Sequence, residues 1–260
     1  MTNQIDYQKV TELVHSADRF ISDDQAVHHI ITKGLADYVT YVDIGIQKYL
    51  SEELGKLYPE VAFMGEEEGK NSLDESRACW ILDPIDGTTN LIHDFHHSAI
   101  SLGLWSEGKI IFGVIYNPYA HETFTAELGR GAFLNGTPIH VSSIGTLPEA
   151  LITFGTAPYD KSLGPRNFAI LADLFTECQD LRRLGSAAID LANVACGRTE
   201  AFFEATLKPW DYAAGSLLVT EAGGRITTWT GEDISCAHGC PVLASNDLMH
   251  EIVQTRLLRH

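Results

Sequence analysis

Two carboxylates three positions apart stand in the segment 83–87, which reads Asp-Pro-Ile-Asp-Gly. An apolar run, Trp80 to Leu82, predicts a buried strand that ends at Asp83, because the proline that follows has no N–H for sheet pairing. Gly87 lets the backbone approach a ligand closely, and the Thr-Thr-Asn run at 88–90 can cap and begin a helix. Carboxylates beside free backbone N–H groups suit a cation and a phosphate together.

An ordinary acidic turn is the plainer interpretation of this motif, since Asp and Gly are common turn residues. A calcium loop of the helix-loop-helix type fails on spacing, because its acidic positions alternate by two and it needs a Glu at position twelve. Other acidic residues favour a functional reading. Three glutamates at 66–68 directly follow a predicted strand at 61–64. A glutamate run is usually a solvated loop, but acidic groups at the ends of adjacent strands can share one cation.

The composition, at 260 residues with 45% hydrophobic and 20% charged residues, is that of a folded protein with one large domain or two fused lobes. A net charge of −17 argues against nucleic acid as a partner, although bound cations would admit a small anionic substrate.

No stretch reaches the length of a membrane span, and the N-terminus lacks the apolar core of a signal peptide. Five scattered cysteines favour a reducing cytoplasm. The run Cys236-x-His238-x-Cys240 has the wrong spacing for a zinc ribbon and is interpreted as a loop.

The hydrophobic pattern predicts a mixed α+β or α/β chain. One or two amphipathic helices are expected over 5–31, broken near 22–24, and Asp43 is expected to cap a helix over 44–57. Four strands over 98–141 form an antiparallel meander, with Asn135-Gly136 as one of its turns. After a boundary at 142–148, strands and helices alternate. Strands are predicted at 151–155, 181–184 and 201–203, and helices at 165–177, 187–195 and 211–222.

Asp211 opens the last of these helices, where an acid is most often a cap. Ala213, Ala214 and Gly215 follow it and would let the helix pack closely against its neighbours. Gly185-Ser186 begins the preceding helix, whose first N–H groups are free for an anion or a sugar hydroxyl.

These segments, in this order, resemble the inositol monophosphatase family of metal-dependent sugar phosphatases. The matching segments are Gly65-Glu66-Glu67, Trp80 through Asn90, Gly113 through Pro118, Gly131 through Gly136, Trp210-Asp211 and Glu221 through Gly224. The similarity covers nearly the whole chain, and the combination is far more specific than any one segment. The resemblance implies a layered α-β-α-β-α sandwich, a single domain over 1–260 with lobes at about 1–145 and 146–260.

The resemblance also implies two to three Mg²⁺ ions per active site. Carried onto the matching positions, Glu67, Asp83 and the Ile85 carbonyl would hold a first ion. Asp83, Asp86 and Asp211 would hold a second, and Glu67 would help to hold a weaker third. The chemistry agrees, because Mg²⁺ prefers oxygen ligands. Without cations, carboxylates this close would repel and raise one another's pKa values.

The implied reaction is in-line attack of an activated water on a phosphate monoester. By resemblance, Thr88 hydrogen-bonds to Asp43 and orients that water, while Glu67 accepts its proton. The backbone N–H groups of Gly87 and Thr88 would hold the phosphate. The substrate-binding residues implied in this way are Asp86, Gly87, Thr88, Gly185, Ser186, Ala188 and Glu204.

The resemblance says less about the roles of Lys33 and of the histidines around His96. Lys33 falls in the segment that forms a mobile flap over the metals in relatives. His96 stands where relatives commonly carry a proline, and together with His93 and His97 it makes a histidine-rich segment. We interpret these histidines as structural or interfacial, because Mg²⁺ rarely takes histidine ligands.

The sequence therefore predicts a Mg²⁺-dependent, lithium-sensitive phosphomonoesterase acting on inositol monophosphate, as a cytoplasmic homodimer without nucleic-acid or membrane partners. Three other activities stay open, because the shared catalytic residues do not determine which sugar is bound. They are fructose-1,6-bisphosphatase, histidinol-phosphate phosphatase and nucleotide 3′-phosphatase. A second phosphate would require added basic groups, for which the candidates are Lys161, Arg166, Arg182, Arg183 and Lys208. A non-catalytic regulatory or scaffold protein on the same fold is the alternative from another class.

Overall fold

The computed structural model describes residues 5–21, 29–34, 37–67 and 72–260. Its layers alternate as helices, sheet, helices, sheet and helices, with apolar side chains filling each of the spaces between them. This arrangement buries apolar residues of the longer helices and of the two larger sheets. The prediction of a mixed, layered α-β-α-β-α sandwich is confirmed.

The described helices and strands have the following bounds. The helices are α1 (Tyr7–Ser16), α2 (Asp18–Ile21), α3 (Tyr41–Leu57), α4 (Thr88–Ile92), α5 (Gly164–Glu177), α6 (Ala187–Ala195), α7 (Pro209–Glu221) and α8 (His250–Leu258). The first nine strands are β1 (Ile30–Gly34), β2 (Asp37–Thr40), β3 (Ala62–Gly65), β4 (Cys79–Asp86), β5 (Ala99–Ser106), β6 (Lys109–Asn117), β7 (Glu122–Glu127), β8 (Gly131–Leu134) and β9 (Thr137–Ile139). The remaining strands are β10 (Leu151–Phe154), β11 (Asp180–Arg182), β12 (Ala201–Leu207), β13 (Arg225–Thr227) and β14 (Cys240–Ser245).

The first sheet has seven strands, β3 to β9, in chain order. β3 pairs with β4 in parallel, and the other neighbours pair antiparallel, so the predicted meander over 98–141 is confirmed. The Asn135-Gly136 turn between β8 and β9 has positive φ at both residues, 49° and 77°. That backbone matches the right-handed twist of the two strands, which explains the Asn-Gly pair.

The second sheet has five strands in the order β11-β10-β12-β14-β13. β10 pairs in parallel with both of its neighbours, and β14 pairs antiparallel with β12 and β13. The alternating pattern of the second half predicts β10 to β12, but no element was expected beyond residue 222. β13, β14 and α8 lie there, and β14 depends on partners on both of its sides rather than on a local pattern.

Helices α6 and α7 fill the space between the two sheets. α7 packs directly on the first sheet, because a Cβ added at Gly113 would meet the Ala214 carbonyl oxygen at 2.9 Å. A Cβ at Gly103 would meet the Cβ of Ala213 at 3.1 Å. The small residues expected to allow close packing do so, and the approach brings the first turn of α7, which carries Asp211, to the sheet.

The N-terminal predictions need two corrections. Within the described residues the helical stretch ends at Ile21, and Ile30 begins a strand of the antiparallel hairpin β1–β2 rather than continuing a helix. The expected helix break at 22–24 lies outside the described residues. Asp43 is not the N-cap of α3. Thr40 is the N-cap, and Asp43 is the third helical residue, whose carboxylate accepts from the Thr40 backbone in a capping box.

Candidate active site

Strand β4 carries both aspartates of the 83–87 motif, and it does not end at Asp83 as predicted. Asp83 pairs with Ser101 and Asp86 with Ala99, so β4 has one residue more than β5 between these two pairs. Such a bulge lets Pro84 sit in the strand without donating to the ladder. Residues three apart on a regular strand face opposite sides, and one extra residue turns them to the same side. The bulge therefore brings both carboxylates to one side of the sheet.

Asp211 completes an acidic cluster with these two residues. Carboxylate oxygens of Asp83, Asp86 and Asp211 all lie within 4.8 Å of one another, and the three side chains are 2%, 9% and 9% exposed. A compact group of buried oxygen donors is the kind of site that holds Mg²⁺. The expected acidic cluster is present, and its donors could bind a metal.

Each of the three carboxylates is held by the chain through one oxygen. The Ile85 N–H donates to Asp83 Oδ1 at 3.0 Å, and the Lys208 N–H donates to Asp211 Oδ2 at 2.7 Å. Asp86 Oδ2 accepts from the Ser186 hydroxyl and from the Ala188 N–H, both at 2.6 Å. Such outer contacts orient ligand groups before a metal binds. The other oxygen of each carboxylate remains for the centre of the cluster.

The cluster is electrostatically strained without a cation. Burial raises the pKa of Asp83 well above its ordinary value, and the charges of Glu66, Asp86 and Asp211 raise it further. Burial likewise raises the pKa of Asp211 well above its ordinary value, with Asp86 and Glu66 adding to the shift. The pKa of Asp86 is raised by burial to about 6, although hydrogen bonds from Ser186 and Ala188 oppose the rise. A divalent cation would remove this repulsion.

Glu66 lies beside the aspartate cluster, whereas Glu67 was the glutamate expected there from the sequence. Glu66 lines the same pocket as the aspartates, and its carboxyl lies within hydrogen-bonding reach of Asp83. Burial and the neighbouring Glu67 charge raise the pKa of Glu66 to about 8. Its backbone N–H donates to the Leu82 carbonyl at 3.2 Å, which continues the pairing of β3 with β4.

Glu67 contacts Gln47 and Lys33. Its backbone N–H donates to Gln47 Oε1 at 2.8 Å, and its carbonyl accepts from the Gln47 amide nitrogen. Its carboxylate accepts from Lys33 Nζ at 2.5 Å. Of the two adjacent glutamates, Glu66 lines the cavity that the aspartates share, and Glu67 does not. The geometry favours Glu66 over the predicted Glu67 as the carboxylate beside Asp83.

Thr88 and Asp43 make the contact that the resemblance implies. The Thr88 hydroxyl lies 3.0 Å from Asp43 Oδ1 and 3.1 Å from the Ile85 carbonyl oxygen, and it can donate to either. Asp43 Oδ2 accepts from the Thr40 N–H at 2.8 Å and from its hydroxyl at 2.5 Å. Burial raises the pKa of Asp43, while these hydrogen bonds oppose the rise. The catalytic roles of both residues remain predictions.

A cavity of about 340 Å³ opens beside the cluster. Of the predicted substrate-binding residues, those that line it are Asp86, Gly87, Thr88, Gly185, Ser186 and Glu204. Ala188 does not line it and acts through its N–H on Asp86. Glu204 accepts from the Ala157 N–H at 2.7 Å, and burial raises its pKa to about 7. A Cβ at Gly155 would overlap the Glu204 carboxylate, which explains the glycine.

The β1–β2 hairpin reaches the cavity through Tyr38 and not through Lys33, which pairs with Glu67. The interpretation of the histidines needs a partial correction, because exposed His93 lines the cavity. His96 is exposed and contacts Asp94 at 2.7 Å, and its ring stacks on Tyr119.

Tyr159 and Asp190 line the cavity and were not predicted, whereas Arg183 was one of the five basic residues considered for a second phosphate. Asp190 is 1% exposed, and its Oδ1 has no hydrogen-bond partner in the described part of the chain. Burial raises its pKa well above the ordinary value. A sequence signal for it exists, because Asp190 is the one charged residue of the apolar helix α6. A buried acid in such a helix is rare unless its carboxyl group is paired or has a function.

The described residues hold no second group of metal-ligating side chains. In ranges 5–21, 29–34, 37–67 and 72–260, the aspartate trio is the one set of three or more such donors that meet. Cys236 and His238 are not part of such a group, and Cys240 begins β14. No described helix combines the length and apolar character needed to cross a membrane.

Comparison with known proteins gives one family match, two curated relatives and one solved structure. The model of the inositol monophosphatase family matches residues 4–259. The protein named Nus factor SuhB from Salmonella typhimurium is 41% identical over 199 residues, which are 76% of this chain and 74% of the relative. The inositol-1-monophosphatase of Caulobacter vibrioides is 40% identical over 228 residues, covering 86% of this chain and 89% of the relative. The crystal structure of the extragenic suppressor protein suhB from Bartonella henselae superimposes with a TM-score of 0.90 at 36% identity, covering 96% and 98% of the two chains.

Proposed function

The chain belongs to the inositol monophosphatase family, and from that membership we propose that it is a Mg²⁺-dependent phosphomonoesterase that hydrolyses inositol monophosphate to inositol and phosphate. The observation that carries the proposal is the cluster of Asp83, Asp86 and Asp211, whose oxygens lie within 4.8 Å of one another beside a cavity. Family membership supports a metal-dependent phosphatase, and the inositol substrate is our own inference.

The donor set fits Mg²⁺, because it consists of carboxylate and carbonyl oxygens. We assign the three aspartates, Glu66 and the Ile85 carbonyl as the groups that would hold two ions. A third ion would need a place at Glu67, whose carboxylate contacts the Lys33 ammonium. When bound, the ions supply Lewis acidity that activates water and stabilises the leaving oxygen.

Each residue of the site would have its own role in this reaction. Thr88, held by Asp43 at 3.0 Å, would orient the attacking water. Glu66, which replaces Glu67 in our assignment, would accept the proton of that water, since it lines the cavity beside the aspartates. The N–H groups of Gly87 and Thr88 would bind phosphate oxygens.

The cavity supports a monophosphate with several hydroxyls over a bisphosphate. Of the five basic residues considered for a second phosphate, Arg183 is the one that lines it in the described part of the chain. Arg166 lies over the Trp229 ring, and Arg182 pairs with Asp180. Glu204 and Ser186 offer oxygen atoms to the hydroxyls of a polyol on the same side.

A second candidate is a binding role, which the name Nus factor suggests for a relative 41% identical to this chain. The two roles can coexist on one fold. We further propose a cytoplasmic homodimer whose acidic surface does not bind nucleic acid, on the strength of the −17 charge and the family resemblance.

Phosphate release tests the proposal. The purified protein is incubated with inositol 1-phosphate, fructose 1,6-bisphosphate, histidinol phosphate or adenosine 3′,5′-bisphosphate, each with Mg²⁺ and with EDTA. We expect EDTA-sensitive release with a clear preference for inositol 1-phosphate. A preference for another ester would change the substrate and keep the class. No release from any ester, by protein that is folded and binds Mg²⁺, would replace the enzyme with the binding role.

A further inference from the structure

The loop that follows β10 forms one wall of the cavity through Gly155, Pro158 and Tyr159. Ala157 in this loop is fully buried with a φ of 45°, a left-handed conformation that residues with a side chain rarely adopt. Its N–H donates to Glu204 at 2.7 Å, which stabilises the strained backbone. Strain of this kind persists where the surroundings hold it, and it is concentrated at functional sites. The loop is therefore held in one position against the residue proposed to read substrate hydroxyls.

Tyr159 lines the cavity together with Glu204 and the metal-binding cluster. The residue as a whole is 47% exposed. Burial is nevertheless the largest cause that raises the pKa of its hydroxyl, followed by the charges of Asp211, Glu204 and Asp86. A side chain that is half exposed and lines this cavity can be reached by a bound substrate.

The Tyr159 hydroxyl has no hydrogen-bond partner in the described part of the chain, and no aromatic ring there stacks on its own ring. The charged groups nearest to it are carboxylates, which accept hydrogen bonds. A phenol in this setting stays protonated, so it offers one neutral donor in an acid-lined cavity. An exposed tyrosine that only covered the protein would be expected to turn its hydroxyl to water.

We propose that Tyr159 determines substrate specificity, with its hydroxyl donating a hydrogen bond to a polyol oxygen next to the phosphate and its ring packing on a C–H face of the polyol. This inference rests on the proposed function. A substrate with its phosphate at the aspartate cluster and a hydroxyl at Glu204 would occupy the cavity that Tyr159 lines together with both groups. Tyrosine suits this place, since it combines an apolar face with a polar tip.

Steady-state kinetics of Tyr159→Phe test the proposal with two esters. Inositol 1-phosphate carries polyol hydroxyls, and phenyl phosphate has a phosphate without them. We expect KM for inositol 1-phosphate to rise about tenfold with kcat little changed, as for the loss of one substrate hydrogen bond. The kinetics with phenyl phosphate should stay within about twofold, since no polyol contact is lost. Tyr7→Phe is the matched control, because Tyr7 lies on α1 and stacks on Phe112 away from the cavity.

Unchanged KM for inositol 1-phosphate in Tyr159→Phe would overturn the inference, and so would an equal loss with both esters. If the wild type releases no phosphate from any ester, the proposed function fails separately. Calorimetric titration of inositol 1-phosphate in the presence of Mg²⁺ then decides the role of Tyr159. Weaker binding by Tyr159→Phe than by Tyr7→Phe would support it, and equal binding by both, or none by the wild type, would refute it.

Discussion

The Ser186 hydroxyl donates to Asp86 Oδ2 at 2.6 Å and so joins the start of α6 to the end of β4, across 100 positions of the chain. The same Ser186 oxygen accepts from the Ile189 N–H at 3.2 Å and caps α6. One side chain thus holds a metal-binding carboxylate and stabilises the helix behind it. The arrangement ties the first sheet to the helices between the sheets at the site itself.

Ser186→Ala should weaken Mg²⁺ activation and lower Tm together. Asp86 loses a donor to its ionised form, so its pKa should rise further and the Mg²⁺ concentration for half-activation should increase several-fold. Loss of the cap should cost about 1 kcal/mol of stability. Mg²⁺ titrations of activity and thermal melts check both. Ser76→Ala removes an exposed serine that contacts Asp74 and is the control. An unchanged Mg²⁺ requirement would mean that Ser186 only caps the helix.

Glu66→Gln and Glu67→Gln form a matched pair for the assignment of the catalytic glutamate. We expect Glu66→Gln to lower kcat by about 100-fold or more, as for removal of a general base and metal ligand. Glu67→Gln loses the contact with Lys33 but no group of the cluster, so its kcat should fall by less than about tenfold. Phosphate-release rates at saturating Mg²⁺ check the difference. The reverse order would restore the role that the sequence predicted for Glu67.

Asp83→Asn should abolish turnover while leaving the fold intact. Asp83 is buried among like charges that raise its pKa, so removing its charge should raise Tm in EDTA relative to the wild type. The stabilisation that Mg²⁺ gives the wild type should largely disappear, because the site loses a shared ligand. Thermal melts with and without Mg²⁺ measure both effects. Asp173→Asn, on the outer helix α5, is the control, and wild-type turnover in Asp83→Asn would remove Asp83 from the mechanism.

The metal-free protein should lose stability as the pH rises from about 4 to 8. The pKa values of Asp86, Glu204 and Glu66 are raised to about 6, 7 and 8 in the folded protein, whereas they are near 4 in the unfolded chain. The folded state therefore binds more protons in this window, and its stability falls as these groups ionise. Thermal melts in EDTA across this pH range measure how Tm changes with pH. In Glu66→Gln, the fall of Tm should be smaller toward pH 8, where Glu66 ionises in the wild type. A flat or rising profile would contradict these pKa shifts.

Lithium should inhibit phosphate release when Mg²⁺ is limiting. Family resemblance is the basis of this expectation, which assumes that Li⁺ competes for a weakly held cation position. Activity is measured at increasing LiCl with matched NaCl as the control for ionic strength. Equal responses to the two salts would count against the inositol branch of the family as the source of this activity.

The local pattern of the sequence was sufficient to predict the meander and helices α5 to α7, whereas the meeting of Asp211 with Asp83 and Asp86 was implied by the family resemblance. Alternating apolar residues, Asn-Gly turns and the small residues after Asp211 are local signals, and their structural consequences are set within a few residues. The prediction of Thr88 beside Asp43 came from the family resemblance, and the 3.0 Å contact agrees with it.

The tertiary structure decided which way side chains face. The bulge after Asp83 exists because β4 pairs with β5, and that pairing turns Asp86 to the side of Asp83. The choice of Glu66 over Glu67 depends on the register of β3 and on the contacts of Glu67 with Gln47. Tyr159 gains its surroundings from Asp211 and Glu204, which are distant in sequence. A shift of one residue reverses the facing of a strand, and long-range pairing sets that register, so composition and spacing alone could not determine it.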